Sequence, residues 1–404
     1  MRLNSILLSA LLLTTAACAE DERHTMVAEP TPRAREIAES SIIVDGHLDV
    51  PYRLEQVWED VSQATAVGNF DYPRAVAGGL NVPFMAIYTP ADLEAEGRSK
   101  QLAEDLIHMV EGFATHAPDK FAIAYSPADV RRHFSEGLIS LPMGMENGSP
   151  IEGDIANVEY FYDRGIRYIT LAHNGSNHIC DSSRDDPLWG GLSEFGFEVV
   201  REMNRLGILV DVSHISDETF WDVLETSQAP VIASHSSTRH FTPGWPRNMS
   251  DEMIAAMAER GGMIMVNFGS SFLSAEANVY RYGRRDAYRA HLAANDISAS
   301  DQEEERFNEE WAEEYGPFPF ADVDLVLDHF DYLKNLVGID HVGIGTDYDG
   351  VGDTLPIGLK DVSSYPVLIQ GFLDRGYSDE DIKKILGENL LRVWEEVEAF
   401  ASGS

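Results

Sequence analysis

Only two cysteines occur in 404 residues, Cys18 and Cys180, so a disulfide framework has almost nothing to be built from. Cys18 falls in a stretch that reads as a leader, which leaves one thiol in the mature chain and no internal bridge. The fold must stand on its hydrophobic core. Basic residues are scarce as well: Lys and Arg number 30 against 68 Asp and Glu, a net charge of −38. Such a surface repels nucleic acid and anionic lipid headgroups, so nucleic-acid partners are not expected. What the composition does contain, 44% hydrophobic residues over this length, suffices for one large domain with a sizeable core.

Residues 1–19 differ from everything after them. Arg2 precedes the apolar run Ile6-Leu7-Leu8-Ser9-Ala10-Leu11-Leu12-Leu13, and the small residues Ala16-Ala17-Cys18-Ala19 follow. The run is too short to span a bilayer and reads as a secretory signal. Thr15-Ala16-Ala17-Cys18 resembles a bacterial lipobox with Thr where Leu is commoner, while Ala17-Cys18-Ala19 also suits ordinary signal cleavage; lipidation of Cys18 is the favoured reading. The expectation is an exported bacterial protein, periplasmic or anchored to the membrane as a lipoprotein. Polar, Pro-containing residues 20–36 read as a tether and residues 37–400 as the catalytic domain. Asn-x-Ser matches at Asn147, Asn174 and Asn248 adjoin candidate site residues, where a glycan would obstruct access, and are read as chance.

Eight near-continuous apolar runs recur along the chain: 41–46, 80–88, 138–145, 167–173, 208–213, 230–234, 263–268 and 341–347. Such runs suit parallel strands covered on both faces. Between them, stretches such as 100–115 and 193–206 place apolar residues at helical spacing. Strands alternating with helices predict an α/β protein, and eight repeats over roughly 300 residues predict a (β/α)8 TIM-type barrel. Residues 274–315, before the eighth strand, carry Glu303-Glu304-Glu305 and Glu309-Glu310 with Trp311 and Tyr315. They predict an acidic helical insertion, for which a solvated face is the plain reading and a lid or a homodimer contact the functional one. Tyr377-Ser378-Asp379-Glu380-Asp381 starts a terminal helix through Leu386, Leu390, Leu391 and Trp394, whose role is packing.

Five residues with metal-ligating side chains stand at the ends of these runs. His47 and Asp49 close the first, Glu146 follows the third, and His214 and His235 end the fifth and sixth. The C-terminal rim of a barrel is where side chains converge on substrate. A single His beside a strand is more often a hydrogen-bonded structural residue than a ligand, but five in register change that balance. In His47-Leu48-Asp49, residues i and i+2 project from one strand face and can reach one ion at about 2.0–2.2 Å. An open doubly wound sheet is the competing architecture; it would not bring strand ends so far apart in sequence onto one point.

Seven motifs carry a family resemblance: Asp45-Gly46-His47-Leu48-Asp49, Gly144-Met145-Glu146-Asn147-Gly148, Leu171-Ala172-His173-Asn174, Asp211-Val212-Ser213-His214, Ser234-His235-Ser236-Ser237, Arg247-Asn248 and Gly345-Thr346-Asp347-Tyr348-Asp349-Gly350. In this order they resemble the membrane (renal) dipeptidase family, peptidase family M19 of the amidohydrolase superfamily. Gly387-Glu388-Asn389-Leu390-Leu391-Arg392-Val393 resembles that family's end, so the likeness covers residues 42–397. The resemblance implies a zinc-dependent dipeptidase acting on small dipeptides, with D-residues accepted at the C-terminal position. One zinc would be held by His47 and Asp49 and a second by His214 and His235, with Glu146 bridging; manganese or iron also suits these ligand types. Asp347 would then shuttle a proton, while His173 and Arg247 would face the substrate. Gly175 stands where vertebrate members commonly carry a cysteine, so a disulfide there is not expected. Two other classes stay open: an amidohydrolase acting on another amide, a lactone or a cyclic amide, and a non-catalytic exported binding lipoprotein that kept the barrel.

Overall fold

A computed structural model of the protein describes residues 29–403. The expected signal, Cys18 and most of the expected tether therefore lie outside the described residues. The strands, in chain order, are β1 (Ile43–Leu48), β2 (Leu80–Tyr88), β3 (Phe121–Ile123), β4 (Ile139–Leu141), β5 (Met143–Glu146), β6 (Ile166–Thr170), β7 (Leu209–Asp211), β8 (Ile232–Ser236), β9 (Met263–Val266) and β10 (Val342–Ile344). Eight of them form one parallel sheet in the order β1-β2-β5-β6-β7-β8-β9-β10. At the rim β10 returns to β1: the Asp347 N–H donates to the His47 carbonyl (3.1 Å), and the Asp49 N–H donates to the Tyr348 carbonyl (2.9 Å). The result is a nearly closed barrel with helices between its strands, as the alternating pattern predicts. Every residue of β1 and of β5 through β10 is buried, which is why these segments read as unbroken apolar runs.

The third expected strand is in fact two. Pro142 has no N–H to give to a sheet ladder, and the run breaks there. On its N-terminal side β4 leaves the barrel to pair with β3 in a separate two-stranded parallel sheet; on its C-terminal side β5 pairs with β2 and β6 and carries Glu146 to the rim. Two glycines let the barrel interior close. A Cβ on Gly345 would lie 1.9 Å from the Ser234 carbonyl oxygen, and one on Gly144 would lie 2.0 Å from the Tyr168 ring. The second vacancy admits a buried tyrosine ring beneath the site.

The helices follow local signals. Ser193 caps Glu194–Leu206 through its side chain, Val199, Val200 and Met203 turn inward, and Gly207 ends the helix in the left-handed conformation at φ 81°. Ser99–His116 exceeds the expected stretch by one residue at each end. Residues 274–315 form a helical hairpin, Ala275–Asn295 and Asp301–Tyr315, whose helices meet through ring pairs such as Tyr288 with Phe307 (5.3 Å) and Tyr280 with Trp311 (6.3 Å). Among the described residues no helix is long and apolar enough to cross a membrane.

The chain's two ends depart from expectation. A helix over Pro32–Ser40 is capped by Thr31 and buries Ala34, Ile37 and Ala38, so packed structure begins before the expected tether ends at residue 36. The terminal helix is three segments, Asp379–Lys383, a π-turn at Lys384–Glu388 and Asn389–Ala401. The Asn389 side chain donates to the carbonyls of Ile339 (2.7 Å) and Val342 (2.9 Å), tying the terminal helix to β10. Trp394 is fully buried against Phe84 (5.4 Å), in a cluster with Val44, Val82, Ile232 and Met263 from the strand starts. Packing is thus its role, as expected.

Candidate metal centre

The eight strands deliver their C-terminal side chains to one point. His47 ends on β1 with Asp49 just beyond it, Glu146 closes β5, His214 follows β7 and His235 lies within β8. Glu146 is the hub. Its Oε2 faces His47 Nε2 at 3.4 Å, whereas its Oε1 faces His214 Nε2 at 3.1 Å and His235 Nε2 at 3.4 Å. Asp49 Oδ2 sits 3.5 Å from His47 Nε2 on the first side. All five predicted ligand candidates therefore converge, and the carboxylate at the centre turns one oxygen to each set of imidazoles.

His173, after β6, also approaches Glu146 Oε1, at 3.6 Å, and Asp347, after β10, gathers with His47 and Asp49. Arg247 is buried in the loop after β8, its guanidinium donating to Ser236 Oγ (2.7 Å) and the His235 carbonyl (2.9 Å). The sequence reading thus brought every candidate residue to one site. Of the three sequon asparagines, Asn147 and Asn248 are buried and spend their amides on internal carbonyls, whereas Asn174 is exposed at the cavity.

Burial and proximity set the charges. Desolvation would raise the Glu146 carboxyl, but the His47 and His173 charges and the hydrogen bonds from His214 and His235 outweigh it and hold it well below the usual range. Burial pushes His214 and His235 well below ordinary imidazole values, so both keep a lone pair to offer. His47 goes the other way: burial opposes, yet Tyr168, Glu146 and Asp49 draw it well above. The His47 and His235 rings stack 3.7 Å apart, so charge on one disfavours charge on the other. Burial and then the Asp49 charge push Asp347 up to about 8, and burial lowers His173 to about 4.

A second layer of residues, which the sequence reading left inside its strands, aims these ligands. The His47 Nδ1 meets the Tyr168 hydroxyl at 2.8 Å, leaving Nε2 toward the centre. The Ser234 hydroxyl donates to Asp211 (2.6 Å) and contacts His235 Nδ1 (2.7 Å), which leaves the Nε2 of His235 for Glu146. Such partners fix the tautomer and orientation of a ligating imidazole. Asp45 accepts from the Thr346 hydroxyl (2.5 Å) and backbone N–H (2.9 Å), pinning the rim segment that carries Asp347. Asn267 donates to Asp347 Oδ2 at 2.7 Å. A visible signal existed: Asp45 and Asp211 are carboxylates in otherwise apolar runs, and a buried carboxylate needs donors.

Backbone strain gathers at the same rim. Of the six non-glycine residues with positive φ among the described residues, Asn147 (77°), His214 (71°), Asp347 (63°) and Asp349 (68°) lie there. At Gly350 a Cβ would stand 2.1 Å from Asp49 Oδ2 and 2.2 Å from Asp347 Oδ1, so only glycine lets the chain pass both carboxylates.

Do these residues suit a metal? Their ligand atoms fall into groups lying within 4.8 Å of one another: His47, Glu146 and His235; Glu146, His173 and His214; His47, Asp49 and Asp347. Two of the buried ring nitrogens, His47 Nε2 and His214 Nδ1, have no hydrogen-bond partner. Unpaired buried nitrogens, neutral imidazoles and ionised carboxylates form the donor set of a divalent transition metal.

Above this centre opens a cavity of about 290 Å³. It is lined by the ligand candidates Asp49, Glu146, His173, His214 and Asp347 and also by Arg184, Arg247, Phe272, Arg281 and Tyr282. Arg281 and Tyr282 belong to the insertion helix Ala275–Asn295, so that helix is not merely a solvated face: these two residues line the site. Residues 31–404 match the family described as membrane dipeptidase (peptidase family M19).

The chain belongs to peptidase family M19. Among solved structures it is similar to the probable dipeptidase PvdM from Pseudomonas aeruginosa, with 28% identity, a TM-score of 0.80, and coverage of 92% of this chain and 100% of that one. It is similar to dipeptidase AC, an M19 metallopeptidase, at 26% identity and TM-score 0.72 over 89% and 99% of the two chains. A metallopeptidase from Rhodobacter sphaeroides, liganded with a phosphinate mimic of the dipeptide L-Ala-D-Ala, aligns at 26% identity and TM-score 0.71 over 89% and 100%. This M19 protein is accordingly a metal-dependent dipeptidase, with the barrel rim as its candidate metal centre.

Proposed function

We propose that this M19 enzyme hydrolyses dipeptides at a two-zinc centre, with His47 and Asp49 on one ion, His214 and His235 on the other, and Glu146 shared. The observation that carries this reading is the division of Glu146, one carboxylate oxygen facing His47 and the other facing His214 and His235. Bound there, the ions supply an acidified water and a polarised scissile carbonyl. The chain's own residues do the rest. Asp347, steadied by the Asn267 amide at 2.7 Å, takes the proton of the attacking water and returns it to the departing amine. His173, kept neutral by burial, offers a ring N–H to the developing oxyanion. Arg247 remains cationic although burial draws it down to about 10; its Nε is buried without a partner, and it receives the substrate's α-carboxylate.

D-residues at the C-terminal position belong in the substrate class because the Rhodobacter sphaeroides relative is liganded with a mimic of L-Ala-D-Ala. Metal-replete enzyme should contain close to two divalent ions per chain by elemental analysis. It should cleave L,L and L,D dipeptides while leaving N-acetylated dipeptides, tripeptides, lactones and cyclic amides largely intact. Metal near zero, or lactones cleaved in preference to dipeptides, would sink this reading.

Location follows from the N-terminal motif. The protein is proposed to be exported and held at the membrane through a lipid on Cys18. Cys18→Ser should shift it from the membrane fraction to the soluble exported fraction with specific activity unchanged, and a wild-type protein found wholly soluble would refute the anchor.

A further inference from the structure

Arg184, Arg247 and Arg281 line one cavity, and none of the three is ion-paired to a carboxylate among the described residues. Two other partly buried arginines are paired, Arg53 with Glu59 (2.9 Å) and Asp349 (3.0 Å) and Arg164 with Glu111 (2.8 Å) and Glu104 (3.2 Å), while buried Arg167 is held by the carbonyls of Tyr125, Tyr162 and Ile166. The carboxylates that share the cavity, Asp49, Glu146 and Asp347, sit with the metal-ligand candidates, and Asp349 is paired to Arg53. Desolvated guanidinium groups without an ion-pair partner are costly, and a cavity that holds several suits an anion.

Their settings differ. Arg247 is committed near the metal centre, its two terminal nitrogens on Ser236 and the His235 carbonyl. Arg184, from the loop after β6, donates to the Tyr282 hydroxyl (2.7 Å) with its guanidinium 4.6 Å from that ring. Arg281 reaches only hydroxyls, Ser271 Oγ at 3.3 Å and Thr354 Oγ1 at 3.5 Å. Hydroxyls and a ring face fix both side chains without cancelling their charge. Burial lowers the Arg281 pKa; Tyr282 and Asp347 oppose that shift, and the like charge of Arg184 adds to it.

One α-carboxylate occupies one guanidinium group, which leaves two cations of the same cavity unexplained. We propose that Arg184 and Arg281 form a second anion subsite selecting dipeptides whose C-terminal residue bears an acidic side chain, Asp or Glu. The α-carboxylate and side chain of a residue diverge from one Cα, so an acid on Arg247 presents its side chain to the adjoining arginines. The proposal rests on the dipeptidase reading above, and it makes the insertion a specificity element.

The test compares the metal-loaded full-length enzyme on Ala-Glu and Ala-Gln, in L,L and L,D forms, isosteric pairs that differ in one charge. Wild type should favour the acidic member by about 10-fold or more in kcat/KM, the scale of one charge-assisted hydrogen bond. In Arg281→Gln and Arg184→Gln that ratio should fall by about 10-fold. Both rates come from one sample, so any loss of folded enzyme cancels in the ratio. Equal rates on the two substrates, or an unchanged ratio in both variants, would overturn the subsite while leaving the dipeptidase intact. If neither peptide is cleaved, calorimetric binding of the same two decides separately: tighter binding of Ala-Glu that is lost in Arg281→Gln upholds the subsite and removes the dipeptidase reading, and equal binding overturns both.

Discussion

Glu146→Ala should strip the enzyme of both metal ions and lower kcat/KM by at least about 10³-fold, several kcal/mol of lost transition-state stabilisation. Its two carboxylate oxygens face separate imidazole sets, so one truncation removes a ligand from each. The loss is also electrostatic. Glu146 is the carboxylate that His47, His173, His214 and His235 all approach within 3.6 Å, so its departure leaves four clustered imidazoles without their shared counter-charge. His235→Ala gives the contrast, since it belongs to one set and should deplete mainly one ion. Elemental analysis of both variants, with circular dichroism to confirm the barrel, checks the difference. If Glu146→Ala keeps one ion at full occupancy, the carboxylate does not bridge.

The barrel was legible because its strands are buried on both faces and so stand out as apolar runs; β2 was predicted residue for residue. The polar residues at run ends were legible for the complementary reason, that a buried, nearly closed barrel leaves its rim as the place where imidazoles and carboxylates gather. Errors came where another force competed with periodicity. Pro142 divided a run that hydropathy alone made continuous, and Pro32, at the first position of a helix capped by Thr31, began packed structure in a segment whose polarity read as tether. Partners such as Tyr168 and Asn267 were hidden because their significance lies in distances across strands, which spacing along one strand does not encode; Asp45 and Asp211 showed only as carboxylates within apolar runs. Arg281 was hidden for the same reason. Nothing in the composition of an acidic helical insertion signals that its residues Arg281 and Tyr282 line the site.

Asp347→Asn should lower kcat by at least about 10²-fold, the scale of lost acid–base help, while fold and most of the metal remain. An amide fills the same space and can still contact Asn267, but it cannot accept the water proton or return it to the amine. The residue is well placed for that traffic: it borders the cavity, its Oδ2 is held by Asn267 at 2.7 Å, and its backbone sits at φ 63° between Thr346, anchored to Asp45, and the close-packed Gly350. Burial and the Asp49 charge raise its proton affinity above that of an exposed carboxylate. Because Asp347 also gathers with His47 and Asp49 within ligand reach, metal content is measured on the same preparation. A large fall in kcat with both ions retained, and with a phosphinate dipeptide mimic still bound, assigns Asp347 to proton transfer. Near-normal kcat removes it from the mechanism, and loss of an ion in step with activity makes it a ligand instead.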